Sequence, residues 1–443
     1  MNPPVSIFWF RRDLRLEDNV GLYHALTSEH PVIPLFIFDT NILGHLQEKN
    51  DARITFNYDT ILRLKSTLRR QGSDLIVRYG SPESVWQHLI TTYQIETVYV
   101  NHDFEAYAIQ RDAMVKDMMS KHNIKMLTYK DHVIFEKSEI VKDDGTPYTV
   151  FTPYKRKWLS KLTESEDQSE SSVYLQSVQT EHYFDHFYKF TSVKGVPSLY
   201  EMGFERAEIE IPTVNINSSI LITYDKTRDF PALDGTSRLG IHLRFGTISI
   251  RELTRLAISL NPIYLNELIW RDFYAMILSY FPYVQFSAFR PEYDHIEWRN
   301  NEKEFQLWCE GKTGYPIVDA GMRELSATGF MHNRVRMITA SFLTKHLLID
   351  WRWGEAWFAQ KLLDFDLASN NGGWQWAAGC GTDASPYFRI FSPDAQTEKF
   401  DKARIYIKKW VPEYGTSSYV LPIVDHKDAR IRCLEVYRRG LRR

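Results

Sequence analysis

Five short apolar runs early in the chain, separated by spans of helical character, limit its fold more than any other feature. Val5–Phe10, Val32–Phe38, Leu75–Val77, Thr97–Val100 and a weaker Ile124–Tyr129 read as strands. Between them, Ile54, Tyr58, Ile61, Leu62, Leu64 and Leu68 recur close to helical spacing. Parallel neighbours need a crossover long enough for a helix, so this alternation predicts a doubly wound parallel α/β sheet. The first run leads into Arg11-Arg12-Asp13-Leu14-Arg15 instead of G-x-G-x-x-G. The usual dinucleotide fingerprint is therefore missing, and no nicotinamide or flavin is assigned to that turn.

The pattern weakens after Phe135 and changes character near Glu201. Thr163–Ser172 reads TESEDQSESS, which is acidic and apolar-free, and is expected to be a solvated linker. Beyond it the strand signals stop. Ile248–Ser259, Pro262–Tyr280, Val318–Ala327, His332–Leu348 and Glu355–Leu363 read as helices. Asn261 followed by Pro262 has the form of an N-cap with proline in the first turn. The expected organisation is an α/β domain over 1–133, a connector over 134–200 and an all-α domain over 201–443.

Lys plus Arg number 54 against 56 Asp plus Glu, a net charge of −2, so any nucleic-acid contact must use a local basic surface. One such stretch is Lys402–Arg443, with 11 basic and 4 acidic residues, which reads either as a phosphate-facing surface or as a solvated one. Cys309, Cys380 and Cys433 have no C-x-x-C spacing, so neither a disulfide framework nor a zinc site is expected. With no leader-like or membrane-length apolar run, the chain is expected to be cytoplasmic. Nine of its 12 tryptophans fall between Trp270 and Trp410, a concentration that needs a reason beyond core packing.

Several motifs are weighed by the chemistry they permit. Gly311-Lys312-Thr313 has Gln306 where a phosphate loop needs glycine, and is rejected as a nucleotide site. Asn333, Arg336 and Met337 share one helix face. That face suits either a polar aromatic ligand or an exposed helix start. Asp364 and Asp366 precede Asn370-Asn371-Gly372-Gly373, read as acids and amides around a Gly-Gly turn that allows close approach of a flat ligand. Arg336 and Asp364 would satisfy each other if buried. No histidine accompanies the acids, so no metal is assigned. Thr236, Ser237 and Arg238 offer donors suited to phosphate. Glu267, Trp270 and Arg271 set an acid, a ring and a cation on one face of an apolar helix.

Together these segments resemble the photolyase/cryptochrome family, in its class I cyclobutane pyrimidine dimer branch. The resemblance runs from FWFRRDLRLEDN through ELIWRDFY, GKTGYPIVDAGMRE, HNRVRMITASF and DFDLASNNGGWQWAAG to GTDASPYFRIFSP, nearly the whole chain. It implies an N-terminal α/β domain, a connector and a helical domain holding FAD, whose reduced, light-excited form drives repair of dimers in DNA. It implies that Tyr224, Thr236, Ser237, Leu239, Arg271, Asn333, Arg336, Asp364, Asp366 and Asn370 contact or shape the FAD site, with Asn370 facing the reactive flavin nitrogen. Trp374, Trp351 and Trp298 match the family's electron-transfer chain, in order outward from the flavin; each taken alone also fits a core tryptophan. Glu267, Trp270, Asn333, Met337 and Trp376 are implied for the dimer pocket and Arg334 for backbone phosphate.

The alternatives within the family are a signalling cryptochrome and a single-strand-restricted DASH-type enzyme. Six-four enzymes have histidines at Asn333 and Met337, and DASH types usually lack the methionine and paired pocket tryptophans. UV-damaged duplex DNA is the expected partner and the monomer the expected state. Phe330 and Cys380 depart from common class I residues. Tyr107 and Ala108 stand where folate-binding members have Asn and Glu. Asp103 and Glu105 are closer to deazaflavin-binding members, so for a second antenna chromophore a deazaflavin or flavin is favoured over methenyltetrahydrofolate, and no antenna is the alternative.

Overall fold

The computed structural model describes residues 3–163 and 173–442. These residues form two compact units that interleave along the chain: 1–136, 161–215 and 239–256 in the first, and 137–160, 216–238 and 257–443 in the second. Packing therefore divides the chain differently from the linear boundaries expected at residues 133 and 200. The segments around 201–215 and 239–256 pack into the first unit, because side chains such as Met202, Phe204 and Phe245 join its core. Residues 164–172 of the expected acidic linker lie outside the described residues.

The first unit is built on strands β1 (Val5–Phe10), β2 (Val32–Asp39), β3 (Ile76–Gly80), β4 (Ile95–Asn101) and β5 (Lys125–Tyr129), all parallel, in the order β3-β2-β1-β4-β5. Helices α1 (Val20–Leu26), α2 (Ala52–Arg70), α3 (Pro82–Thr92) and α4 (Ala106–Lys121) make the crossovers. β1 and β2 are buried along their whole length, as expected of central strands covered on both faces. Alternation decides which face each residue serves. Phe8, Phe10, Phe36 and Phe38 pack with Leu22, Ile61 and Leu68. Ile7, Trp9, Ile33 and Leu35 pack on the other side with Trp86, Leu89 and Met119. Strand order reverses between β1 and β4, so the ends of these two strands frame a crevice.

Among its described residues the second unit is helical. The elements used below are α5 (Ser218–Thr227), α6 (Pro262–Tyr280), α7 (Pro316–Thr328), α8 (Asn333–Ser341), α9 (Trp351–Lys361), α10 (Leu367–Ala378) and α11 (His426–Gly440). The Asn261 side chain accepts from the amides of Ile263 (2.9 Å) and Tyr264 (3.3 Å), and Pro262 opens α6. The helix expected from His332 to Leu348 stops earlier: α8 ends at Ser341 and Phe342–His346 is a π-helical turn. The expected Gly-Gly turn is corrected more strongly. Gly372 and Gly373 lie inside α10, and glycine is there for space, not for reversal. A Cβ on Gly372 would stand 2.3 Å from the Tyr274 ring, while one on Gly373 would meet nothing within 4 Å. Among the described residues, no helix is long and apolar enough to cross a membrane.

Candidate functional site

A cavity of about 400 Å³ opens in the second unit, within the range of small-molecule and cofactor sites. Three helices supply most of its wall, with Phe358 of α9 beside them. From α6 come Glu267, Trp270, Arg271 and Tyr274; from α8, Asn333, Arg336, Met337 and Ala340. Both sets repeat at i, i+3, i+4 and i+7, a single helical stripe. From α10 come Ser369, Asn370, Gly373, Trp374 and Trp376, with Asp364 and Asp366 just before it. Asp366 caps α10 by accepting from the Ser369 amide (3.1 Å). The site forms here because α6, α8 and the glycine-relieved α10 pack closely while their polar stripes stay turned inward.

The polar groups are held in place. Arg336 donates through Nη2 to both oxygens of Asp364 (3.0 and 2.9 Å) and through Nε to the Met331 carbonyl (2.7 Å). Asn370 donates to the carboxylate of Glu355 (2.8 Å) and to its backbone carbonyl (3.1 Å). This leaves the amide oxygen of Asn370 as an acceptor with its orientation fixed. Glu267 takes a hydrogen bond from Arg228 (2.6 Å). Burial pushes the Glu267 carboxyl up, against the opposing pull of Arg228. Glu355 is likewise raised by burial. His332 caps α8 by accepting from the Arg334 amide through Nδ1 (3.2 Å). Burial, with help from Arg336, pushes this imidazole down to about 4. Trp270 lies flat on Phe151, with ring centroids 3.7 Å apart. The Trp374 indole Nε1 is buried without a hydrogen-bond partner, a donor that packing alone does not satisfy.

Two family descriptions match the chain: "DNA photolyase" over residues 6–172 and "FAD binding domain of DNA photolyase" over 264–417. The deoxyribodipyrimidine photo-lyase of Halobacterium salinarum is 36% identical, with 98% of this chain and 99% of that protein covered. The chain belongs to the DNA photolyase family. Two solved family structures superpose over nearly the whole length. An archaeal photolyase from Sulfolobus tokodaii, with two FAD molecules, has a TM-score of 0.83 at 35% identity and coverage of 99% and 100%. A bacterial class III photolyase from Agrobacterium tumefaciens has a TM-score of 0.85 at 31% identity and coverage of 100% and 99%. The FAD-binding description spans most of the cavity wall, and the wall fits a flavin nucleotide: three guanidinia, two amides, an acid-capped helix start, ring surfaces and a glycine-lined approach.

The cavity collects Glu267, Trp270, Arg271, Asn333, Arg336, Met337, Asp364, Asp366, Asn370, Trp374 and Trp376 from the sequence expectation. Other expected residues stand outside its wall. Tyr224 on α5 meets Tyr264 edge-on (5.0 Å) and lies under the Arg228 guanidinium (5.2 Å). Ser237 bonds the Tyr264 hydroxyl (2.9 Å), and Arg238 sits over the Phe330 ring (4.8 Å). Thr236 neighbours them in sequence, while Leu239 falls in the first unit. Arg334 is paired with Asp229 (2.6 Å). Trp351 and Trp298 pack in the apolar cluster that also contains Trp374.

Sequence reasoning missed Arg228, Tyr274 and Glu355. Only Tyr274 carried a usable signal, its i+7 relation to Glu267; the other two reach the site through tertiary contacts. The rejected phosphate loop is accounted for as well. Its donors turn onto buried Asp319, which accepts from the Thr313 amide (2.7 Å), the Thr313 hydroxyl (2.6 Å) and the Gly314 amide (3.0 Å).

Proposed function

We propose that this chain splits cyclobutane pyrimidine dimers in duplex DNA under light, acting as a cytoplasmic monomer of the class I type. One observation carries the reading: Trp270, Trp376, Glu267, Met337 and Asn370 converge on a single cavity. When bound there, reduced FAD supplies one electron on photoexcitation and takes it back after the ring opens.

The residues divide the remaining work. Arg271, Arg336 and Asp366 orient the cofactor, and Tyr224, Thr236, Ser237 and Arg238 complete its seat. Asn370, held by Glu355, presents a fixed amide oxygen toward the flavin ring. Trp270 and Trp376 offer apolar faces to the extruded pyrimidines, whose damaged stacking lowers the cost of flipping. Glu267, raised by burial and restrained by Arg228, hydrogen-bonds the pyrimidine edge where extra charge develops. Asn333 and Met337 shape the same pocket, and Arg334 meets phosphate. Trp374, Trp351 and Trp298 pass electrons inward when the cofactor is oxidised.

The first unit bears on the second chromophore. Asp103 and Glu105 are already engaged by Arg12 (3.2 and 2.7 Å), beside a cavity of only about 10 Å³. A flavin or deazaflavin there requires Arg12 to move. Chromophore extraction with mass spectrometry settles its identity.

The main test is light-dependent turnover on oligonucleotides carrying one defined dimer, single-stranded and duplex. Dimer loss in light but not in darkness, at least as fast on duplex, is expected. Tight binding without dimer loss would identify a photoreceptor, and loss confined to single strands a DASH-type enzyme. Trp374→Phe is expected to abolish photoreduction while leaving FAD bound and repair by chemically reduced protein intact.

A further inference from the structure

One cation sits over Tyr437, which meets Trp298, another over Trp351 in the same apolar cluster, and none of the described cations sits over Trp298 itself. The Arg352 guanidinium lies 4.7 Å from the Trp351 ring centroid. It is fixed there by Asp350 (3.1 Å), Asp294 (2.5 Å) and the Phe286 carbonyl (2.8 Å). On the other side, the Lys345 ammonium lies 3.9 Å from the Tyr437 ring centroid and donates to the Ala378 carbonyl (2.7 Å). Tyr437 meets Trp298 edge-on, with centroids 5.9 Å apart. Backbone ties put Trp298 beside the start of α9: the Arg299 amide donates to Leu348 O (2.7 Å) and the Asp350 amide to Asn300 Oδ1 (2.9 Å). Gly354, one turn beyond Trp351, packs against the Trp374 ring.

A cation over a ring is attracted to the neutral π-face and repelled by the oxidised one. Oxidation of Trp351 or Tyr437 is therefore disfavoured relative to Trp298, which is also partly open to water. Asp350 and Asp294 moderate the field of Arg352 without removing it from the ring face. Tyr437 carries a second obstacle. Its hydroxyl donates to the Ala378 carbonyl (3.0 Å), which cannot take the proton a tyrosine must release when oxidised.

We infer that Arg352 and Lys345 act as positioning residues that make Trp298 the resting place of the electron vacancy, hastening its passage across Trp351 and barring it from Tyr437. This rests on the reading of the three tryptophans as the photoreduction path. Each hop moves one electron inward and the vacancy one ring outward. No bond breaks, and an external thiol reductant returns the last electron to Trp298.

The test uses FAD-loaded protein, with radicals identified by transient absorption and electron paramagnetic resonance. Wild type is expected to show a tryptophan radical and no tyrosyl radical. Lys345→Met is expected to yield a tyrosyl radical that disappears in Lys345→Met/Tyr437→Phe. Arg352→Gln is expected to lower the yield of long-lived Trp298 radical roughly tenfold, the ratio set by about 1.4 kcal/mol. Arg352→Lys, which keeps the charge but not the forked contacts, should restore most of it; a purely structural role would not be rescued. Repair by chemically reduced protein should not change. Should Lys345→Met be unstable, the Arg352 pair decides alone. A tyrosyl radical in wild type, or unchanged Trp298 yield in Arg352→Gln, overturns the inference. If Trp374→Phe leaves photoreduction intact, it is the path itself that fails.

Discussion

The two units treat their charged side chains in opposite ways. At the β1 and β4 ends, Arg12 is engaged by Asp103, Glu105 and His132, and Arg244 shares Glu105 (2.7 Å). Burial pushes the Asp103 carboxyl up, but Arg12, Arg244, Arg111 and Arg11 outweigh it and hold it low. That cluster closes on itself and leaves about 10 Å³. In the second unit Arg336, Asp364, Asn370 and Glu267 are also tethered, yet they border about 400 Å³ and keep hydrogen-bonding capacity turned into it. Charge density alone therefore marks no site. What separates the two is whether mutual satisfaction uses up the space and the donors.

The largest effect should follow from breaking the second cluster. Arg336→Ala leaves Asp364 without its guanidinium and removes a donor from the cavity wall. FAD affinity is expected to fall on the order of a hundredfold, about 2.7 kcal/mol, read by flavin fluorescence on titration. Retained affinity would place this ion pair with the self-contained kind.

An acid titration sharpens the contrast with an intermediate effect. His332 titrates at about 4 in the folded protein and near 6.5 when unfolded. Its folded pKa is depressed, so the unfolded chain binds more protons in this window. Its contribution to stability is present above pH 6.5 and is lost as pH falls toward 4. Protonation also removes the Nδ1 acceptor that caps α8. Thermal melts and FAD release are expected to worsen together over this range, and His332→Asn, which keeps a capping oxygen, should flatten both. A melt equally acid-sensitive in the variant would assign the loss to other groups.

The smallest effect is expected from Glu105→Gln. Arg12 keeps Asp103 and Arg244 keeps an amide partner, so the loss should be about 1 kcal/mol or less and FAD affinity unchanged. A large fall in affinity would erase the distinction between the units.

Legibility followed the range of the interaction. The strands lay close to where their apolar runs placed them, and α6 began and ended at Pro262 and Tyr280, because an N-cap and a local period are written in adjacent residues. The stripes Glu267/Trp270/Arg271 and Asn333/Arg336/Met337 were legible for the same reason. Glu355 behind Asn370 and Arg228 behind Glu267 were not, since 15 and 39 residues separate those partners. The Gly372-Gly373 pair was misread because glycine signals a turn locally, whereas here Tyr274 claims the missing Cβ space.

By itself the sequence determined a parallel sheet followed by helices, and which side chains share each helical stripe, because both depend on periods of a few residues. Only the tertiary structure decided which stripes face one another across open space, which charges are spent on each other, and which rings lie under a cation. Those depend on distances between segments far apart in the chain, and no local pattern encodes them.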